Sequence, residues 1–271
     1  MDAGTARMGA NKDGAVTAGT VFASGQAVVL SGRNCVIDSM ISGSSGEALV
    51  YKINIDGKPF ALKHYKQNMP LSDTAKEVLT KIRDEPKDRI IKITDFGSYN
   101  GQDYEIMEYA EGGTLAQYLK ANGAIHDIGR IKNIVKMITE WLEQLHGYYK
   151  VIYQDLKPEN IYFRNVDKTS IVLADFGISS VMKGGNEEVE VIASVTDLYA
   201  APELARMGNE IKVIVTSAID YFALGITMFE LWLGEKPFKG IKGNSLRNKI
   251  RNEEVGFPEV TCATQLIKTD I

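Results

Sequence analysis

From residue 35 onward, short apolar-rich runs bounded by turn signals predict strands. The runs occupy residues 35–37, 48–53, 59–63, 90–93 and 104–109. Asp56-Gly57 supplies the positive-φ residues of a tight hairpin, and a glycine-bearing turn lies between residues 37 and 48, so the first three runs form an antiparallel meander. Asn100-Gly101 is a second hairpin signal. Between the third and fourth runs the pattern becomes helical. Pro70, Ser72 and Asp73 are helix-start signals, and apolar Val78, Leu79 and Ile82 follow among good helix formers. Residues 1–20 show no periodicity and read as a flexible lead-in, while 21–30 have the texture of an added strand or hairpin.

Glu111-Gly112-Gly113 closes the strand-rich part and marks a lobe boundary. Beyond it the helical period dominates. Residues 115–120 predict a short helix, and 127–146 a long one with Ile131, Ile134, Val135, Ile138, Leu142 and Leu145 on one face. Two apolar pieces, 161–163 and 171–174, predict a hairpin ending at Asp175-Phe176-Gly177. Residues 179–194, with Gly184-Gly185 and Glu187, Glu188 and Glu190, read as a mobile surface loop. An apolar helix is expected over 218–232, and the sequence after it is charged and weakly periodic.

Composition narrows the classes. At 271 residues the chain can bury a real core, and 44% hydrophobic with 24% charged residues is ordinary for a globular protein. A net charge of −4 argues against a nucleic-acid surface or a polybasic membrane anchor. No apolar run approaches the length of a membrane span, and the first residues lack a signal pattern. Two cysteines, Cys35 and Cys262, and three histidines are too few for a disulfide framework or a Cys/His metal site, which fits a reducing, cytoplasmic setting.

The chemistry concentrates in Val151-Ile152-Tyr153-Gln154-Asp155-Leu156-Lys157-Pro158-Glu159-Asn160-Ile161. A carboxylate takes a proton from an attacking hydroxyl, an ammonium neutralises charge on a transferring group, and an amide oxygen ligates a hard cation. One short loop carries all three. Taken alone, the Asp-Lys-Pro-Glu tetrapeptide is better explained by a solvated turn. The Gly43/Gly46 turn, with Ser44 and Ser45, lets backbone N–H groups approach a polyphosphate, although most such turns are plain hairpins. Lys63 follows Phe60-Ala61-Leu62, so it is either an edge-strand charge or a buried cation awaiting an anion.

Taken in order, these features resemble the eukaryotic-type protein kinase family from about residue 35 to the end of the chain. The matching motifs are the Gly-rich loop, Phe60-Ala61-Leu62-Lys63, the hinge-like Met107-Glu108-Tyr109-Ala110, Tyr153-Gln154-Asp155, Asp175-Phe176-Gly177, Ala201-Pro202-Glu203, and Asp220 in its apolar helix. The resemblance implies an α+β, two-lobed fold. A five-stranded antiparallel N-lobe with one helix spans 35–110, a mainly helical C-lobe spans 111–271, and 1–34 form an extension. It implies a serine/threonine protein kinase using ATP and Mg²⁺ on a protein substrate. Asp155 would be the base and Lys157 would steady the γ-phosphate. Lys63 would meet the α/β-phosphates, and Asn160 and Asp175 would hold the metal. Ile41, Gly43, Ser44 and Gly46 would cover the phosphates. Ala48, Ala61 and Tyr162 would sandwich adenine, and Met107, Glu108 and Ala110 would form the hinge that reads it. Thr196 would bridge the catalytic loop and the peptide.

Four departures qualify that picture. Ile41 stands where the family has its first glycine. Gln154 replaces an arginine that pairs with a loop phosphate, so activity independent of loop phosphorylation is expected. Glu77 is the candidate partner of Lys63, with Asp73 as fallback, yet Lys81 four residues on allows a solvent-side Glu–Lys pair instead. The family's last helices, including an arginine that pairs the Ala-Pro-Glu glutamate, would lie beyond Ile271. Glu203 then has to find another partner, or a second chain completes the C-lobe. The earlier Asp95-Phe96-Gly97 is a decoy, with Asp95 expected in a turn. A pseudokinase that binds nucleotide without catalysis and a small-molecule phosphotransferase are the competing functions.

Overall fold

Two consecutive residues with positive φ close each of three hairpins, and these build the first part of the molecule. In the computed structural model they are Ser31-Gly32, Asp56-Gly57 and Asn100-Gly101. The first joins β1 (Ala27–Leu30) to β2 (Arg33–Ser42), and the second joins β3 (Ala48–Ile55) to β4 (Lys58–Tyr65). The third joins β5 (Ile93–Tyr99) to β6 (Gln102–Glu108). The Asn54 side chain accepts a hydrogen bond from Gly57 N at 2.9 Å and fixes the second turn. Together the strands form a six-stranded sheet in the order β1-β2-β3-β4-β6-β5. The structure describes residues 21–42, 47–86, 88–183, 187–192, 198–204, 212–238, 240–241 and 243–252.

The sheet has one strand more than the five-run pattern predicts, because the 21–30 segment does contribute a strand. β1 alternates exposed and buried positions and turns Val28 and Leu30 into the core beside Cys35, Ile37, Tyr51 and Ile53. The expected strand at 90–93 is displaced to β5. Ile90 and Ile91 are buried but serve another hairpin: Ile90 bridges Leu173 in parallel, and Ile91 N–H donates to Leu173 O at 2.9 Å. Asp95-Phe96-Gly97 therefore lies inside β5, not in a turn. A Cβ at Gly97 would stand 3.0 Å from the Tyr104 hydroxyl, so the glycine answers a close ring approach rather than a bend.

The chain forms two compact units: Met1–Leu71 with Asp95–Ile106, and Ser72–Thr94 with Met107–Ile271. In the second, α1 (Asp73–Asp84) starts at Ser72, whose hydroxyl accepts from Ala75 N, and buries Ala75, Val78, Leu79 and Ile82. A full capping box between Thr114 and Gln117 starts α2 (Leu115–Asn122). Asp127 caps α3 (Ile128–Glu143), which runs on into a π-helical turn, Gln144–Tyr149. β7 (Val151–Ile152) leads into the candidate loop, and β8 (Ile161–Phe163) pairs antiparallel with β9 (Ile171–Leu173). β10 (Ser180–Val181) pairs with β7.

The segment expected to be a mobile loop thus contains strand. β11 (Val189–Ile192) pairs residue by residue with β12 (Lys212–Val215), which the sequence pattern did not reveal, and an exposed Glu190–Lys212 ion pair spans them at 2.7 Å. α4 (Ala218–Leu233) is almost wholly apolar and ends at Gly234 in the left-handed conformation. α5 (Gly243–Asn252) gives the charged tail a helix, with Leu246 and Ile250, four residues apart, buried against Leu198, Phe222 and Phe238. Among the described residues no helix is long and apolar enough to cross a membrane.

Candidate active site

Hydrogen bonds hold the loop between β7 and β8 from two sides. On its working side, Lys157 Nζ reaches Asp155 Oδ1 at 2.6 Å. The Asn160 amide donates to Asp155 twice, to the backbone oxygen at 2.9 Å and to Oδ2 at 2.7 Å. Both carboxylate oxygens of Asp155 are thereby fixed. Burial pushes the Asp155 carboxyl up to about 6, against the pull of the Lys157 ammonium and the Asn160 bond. A carboxylate poised near neutrality and clamped in one orientation suits proton abstraction from a hydroxyl.

On its rear side the loop hangs on Asp220. This carboxylate, buried in apolar α4, accepts Tyr153 N–H at 2.8 Å and Gln154 N–H at 2.7 Å, and His146 Nε2 lies 2.8 Å from it. Gln154 has φ 70°, a conformation that costs a non-glycine residue energy and persists only where surroundings enforce it. Asp220 supplies that enforcement. The Gln154 side chain donates to Ser180 Oγ at 2.7 Å, and Ser179 Oγ donates to Tyr153 O at 3.0 Å. The segment after Gly177 is thus tied to the loop by neutral bonds.

The β8–β9 hairpin sets the next element. Its register pairs Ile161 with Leu173, and Ala174 N–H donates to Asn160 O at 3.1 Å, which brings Asp175 beside Asn160. Asp175 also has positive φ, 64°, and its Oδ1 accepts Gly177 N–H at 3.3 Å. Phe176 is fully buried and meets the Tyr153 ring edge-on at 5.5 Å, while the Tyr153 hydroxyl donates to Ala174 O. Burial keeps that phenol's pKa well above its usual value, so it stays a donor.

A hard divalent cation suits this donor set. Both N–H groups of the Asn160 amide face Asp155, so its carbonyl oxygen is the atom offered to a ligand. Among the described residues no group of three or more His, Cys, Asp or Glu could hold a metal alone. An ion at Asn160 and Asp175 would complete its shell with water and phosphate oxygens, the habit of Mg²⁺.

The other expected residues distribute as follows. In the first unit, the register pairs Ala48 with Tyr65, Val50 with Lys63 and Lys52 with Ala61, so Ala48, Ala61 and Lys63 share one face of β3–β4. Ala48 and Lys63 are buried there, and Ile41 is exposed on β2. In the second unit, Met107 is buried and Tyr162 half-buried. Glu108 donates its N–H to Lys92 O at 2.9 Å, and its carboxylate takes Arg164 at 2.8 Å, which straps the hinge-like segment to β8. Ala110 O accepts Gly113 N–H at 3.5 Å. Glu77 ion-pairs with Lys81 at 3.4 Å and with Lys183 at 3.3 Å. Gly43, Ser44, Gly46 and Thr196 lie outside the described residues.

Sequence reasoning placed Asp220 in a helix without seeing what it holds. The available signal was a carboxylate in the first turn of a mostly apolar helix, which has to be paired if buried. His146, Ser179 and Ser180 carried no signal.

Comparison with known proteins agrees with this geometry. A family model described as the protein kinase domain matches residues 37–269. The chain is similar to "Serine/threonine-protein kinase PrkC" of Bacillus subtilis (strain 168), 34% identical over 162 residues, 59% of this chain and 23% of the relative. It is 29% identical over 237 residues to "Probable serine/threonine-protein kinase fhkD" of Dictyostelium discoideum, 84% of this chain and 30% of the relative. "Probable serine/threonine-protein kinase PknB" of Lactococcus lactis subsp. lactis is 31% identical over 168 residues, 61% of this chain and 25% of the relative. The chain therefore spans under a third of the length of each of these relatives.

Proposed function

Because the chain belongs to the protein kinase domain family, we propose that it is an active serine/threonine kinase, transferring the γ-phosphoryl group of Mg-ATP to a hydroxyl of a protein substrate. The observation that carries this reading is the Asp155–Lys157–Asn160 cluster, with both Asp155 oxygens bonded and its carboxyl pushed up to about 6. Asp155 takes the proton of the attacking serine or threonine hydroxyl. Lys157 neutralises charge developing on the transferred group. Asn160 and Asp175 would hold Mg²⁺, and Mg-ATP when bound would supply the phosphoryl group itself. Lys63 would meet the α/β-phosphates, with Ile41, Gly43, Ser44 and Gly46 as further candidate phosphate contacts. Ala48, Ala61, Met107 and Tyr162 are the candidate adenine contacts of this reading. The Glu108 N–H is committed to Lys92, so its carbonyl and the Ala110 N–H read the base. Residues 35–110 and 111–271 are the two lobes of this reading, and the buried thiol of Cys35 suits a cytoplasmic setting.

A second reading, a nucleotide-binding pseudokinase, draws on the Glu77 ion pairs with Lys81 and Lys183. The two separate when purified protein is given labelled ATP, Mg²⁺ and a generic serine/threonine-bearing substrate, with thermal stabilisation by Mg-ATP followed in parallel. A kinase is stabilised and transfers label; a pseudokinase is stabilised and transfers none.

Regulation follows from Gln154. It holds Ser180 by a neutral bond of 2.7 Å and carries no charge to receive a phosphate. Phosphatase treatment is therefore expected to leave the transfer rate within about twofold, a change of under about 0.5 kcal/mol. Complete loss of activity together with loss of loop phosphate contradicts this.

A further inference from the structure

The first unit contains a buried carboxylate that the roles above do not use. Glu105 lies on β6, the neighbour of β4 in the sheet, and is 1% exposed. The Tyr65 hydroxyl donates to Glu105 Oε1, and Tyr65 is itself held by Gln102, whose side chain donates to Tyr65 O at 2.9 Å. Lys63 sits two residues before Tyr65, on the same face of β4, with its ammonium 4.9 Å from the centre of the Tyr65 ring. A carboxylate and an ammonium are thus both buried against one aromatic residue of the sheet, the first at its hydroxyl and the second at its ring. Each charge is costly to bury alone, and each lowers the cost of the other. A phenol that donates to a carboxylate becomes richer in π density, and the ring face is where a cation is attracted. The helix glutamate expected to do this work is differently employed: the Glu77 side chain is 38% exposed and pairs with Lys81 and Lys183.

We infer that Tyr65 and Glu105 are positioning residues for Lys63, a carboxylate–phenol relay within the sheet that holds the ammonium where the α/β-phosphates of a nucleotide arrive. The inference rests on the nucleotide-binding reading of Lys63. Its chemistry makes a specific distinction, because a relay acting through Lys63 affects phosphates and leaves the nucleoside untouched.

The test compares Mg-ADP and adenosine binding by calorimetry in wild type, Glu105→Gln, Tyr65→Phe and Glu77→Gln. The first two variants are expected to weaken ADP about three- to tenfold and leave adenosine within about twofold, the scale of a cation–π contact that is weakened while the ring stays in place. Glu77→Gln is expected to change neither. In a Lys63→Met background, Glu105→Gln is expected to have no further effect on ADP, since the relay has nothing left to hold. Unchanged ADP binding in both relay variants overturns the inference, as does equal weakening of ADP and adenosine, which marks a purely structural pair. Tyr65→Phe removes one oxygen and keeps the ring, so it decides the matter if circular dichroism shows Glu105→Gln unfolded. Wild type that binds neither ligand overturns the nucleotide reading itself, and the relay with it. Wild type that binds both while the variants match it overturns the relay alone.

Discussion

Asp155→Asn is expected to lower phosphoryl transfer by about 10²–10⁴-fold, the usual loss of a positioned general base, while Mg-ATP binding is retained. The substitution keeps the shape of the side chain and removes the basic oxygen that the Lys157 and Asn160 contacts hold in place. Its effect on stability runs the other way. The folded carboxyl is pushed up to about 6 from 3.8, so at neutral pH the ionised form costs the folded state free energy. That cost is present above about pH 6 and is relieved as pH falls through about 6 toward 3.8. In metal-free buffer the variant is therefore expected to melt no lower than wild type at pH 7, with any advantage shrinking by pH 5. Thermal unfolding at the two pH values checks it. A large drop in melting temperature at pH 7 would mean that the Asp155 contacts serve the fold rather than the chemistry.

Asp220→Ala is the second large effect, and it is expected to cost stability and activity together. The substitution leaves the buried N–H of Tyr153 and the part-buried N–H of Gln154 without an acceptor and removes the partner of His146. Breaking a buried charge network of this kind costs about 3–5 kcal/mol. The urea midpoint is expected to fall accordingly, with little change in slope. Activity is expected to fall further than the unfolded fraction explains, because Gln154 loses what enforces its positive φ and Asp155 is the next residue. Asp220→Asn retains one acceptor oxygen and is expected to lie between wild type and Asp220→Ala on both measures.

Much of the site was legible because its chemistry is local. Asp155, Lys157 and Asn160 belong to one loop, and the predicted hairpin at 161–174 delivers Asp175 to Asn160 through a single register. The turns at Asp56-Gly57 and Asn100-Gly101 were equally readable, since backbone strain selects those residues wherever they occur. What escaped depends on pairings distant in sequence. Ile90 and Ile91 look like a strand, and only their bridge to Leu173 explains why the strand starts later. The polar composition of 179–194 conceals β11, because its partner β12 lies about twenty residues further on and apolar Val191 faces Val213. Glu105 shows the same limit. In sequence it is one acidic residue in a predicted strand, and its meaning comes from Tyr65 across the sheet.

The central claim is that the Asp155 loop performs transfer and not only nucleotide binding. It is tested most directly by a single-turnover assay of labelled phosphoryl transfer from Mg-ATP to serine and threonine, with purified wild type and Asp155→Asn side by side. The account predicts label on serine or threonine with wild type and at least about 10²-fold slower transfer with the variant. Equal transfer by the two proteins, or none by a wild type that binds Mg-ATP, would contradict it.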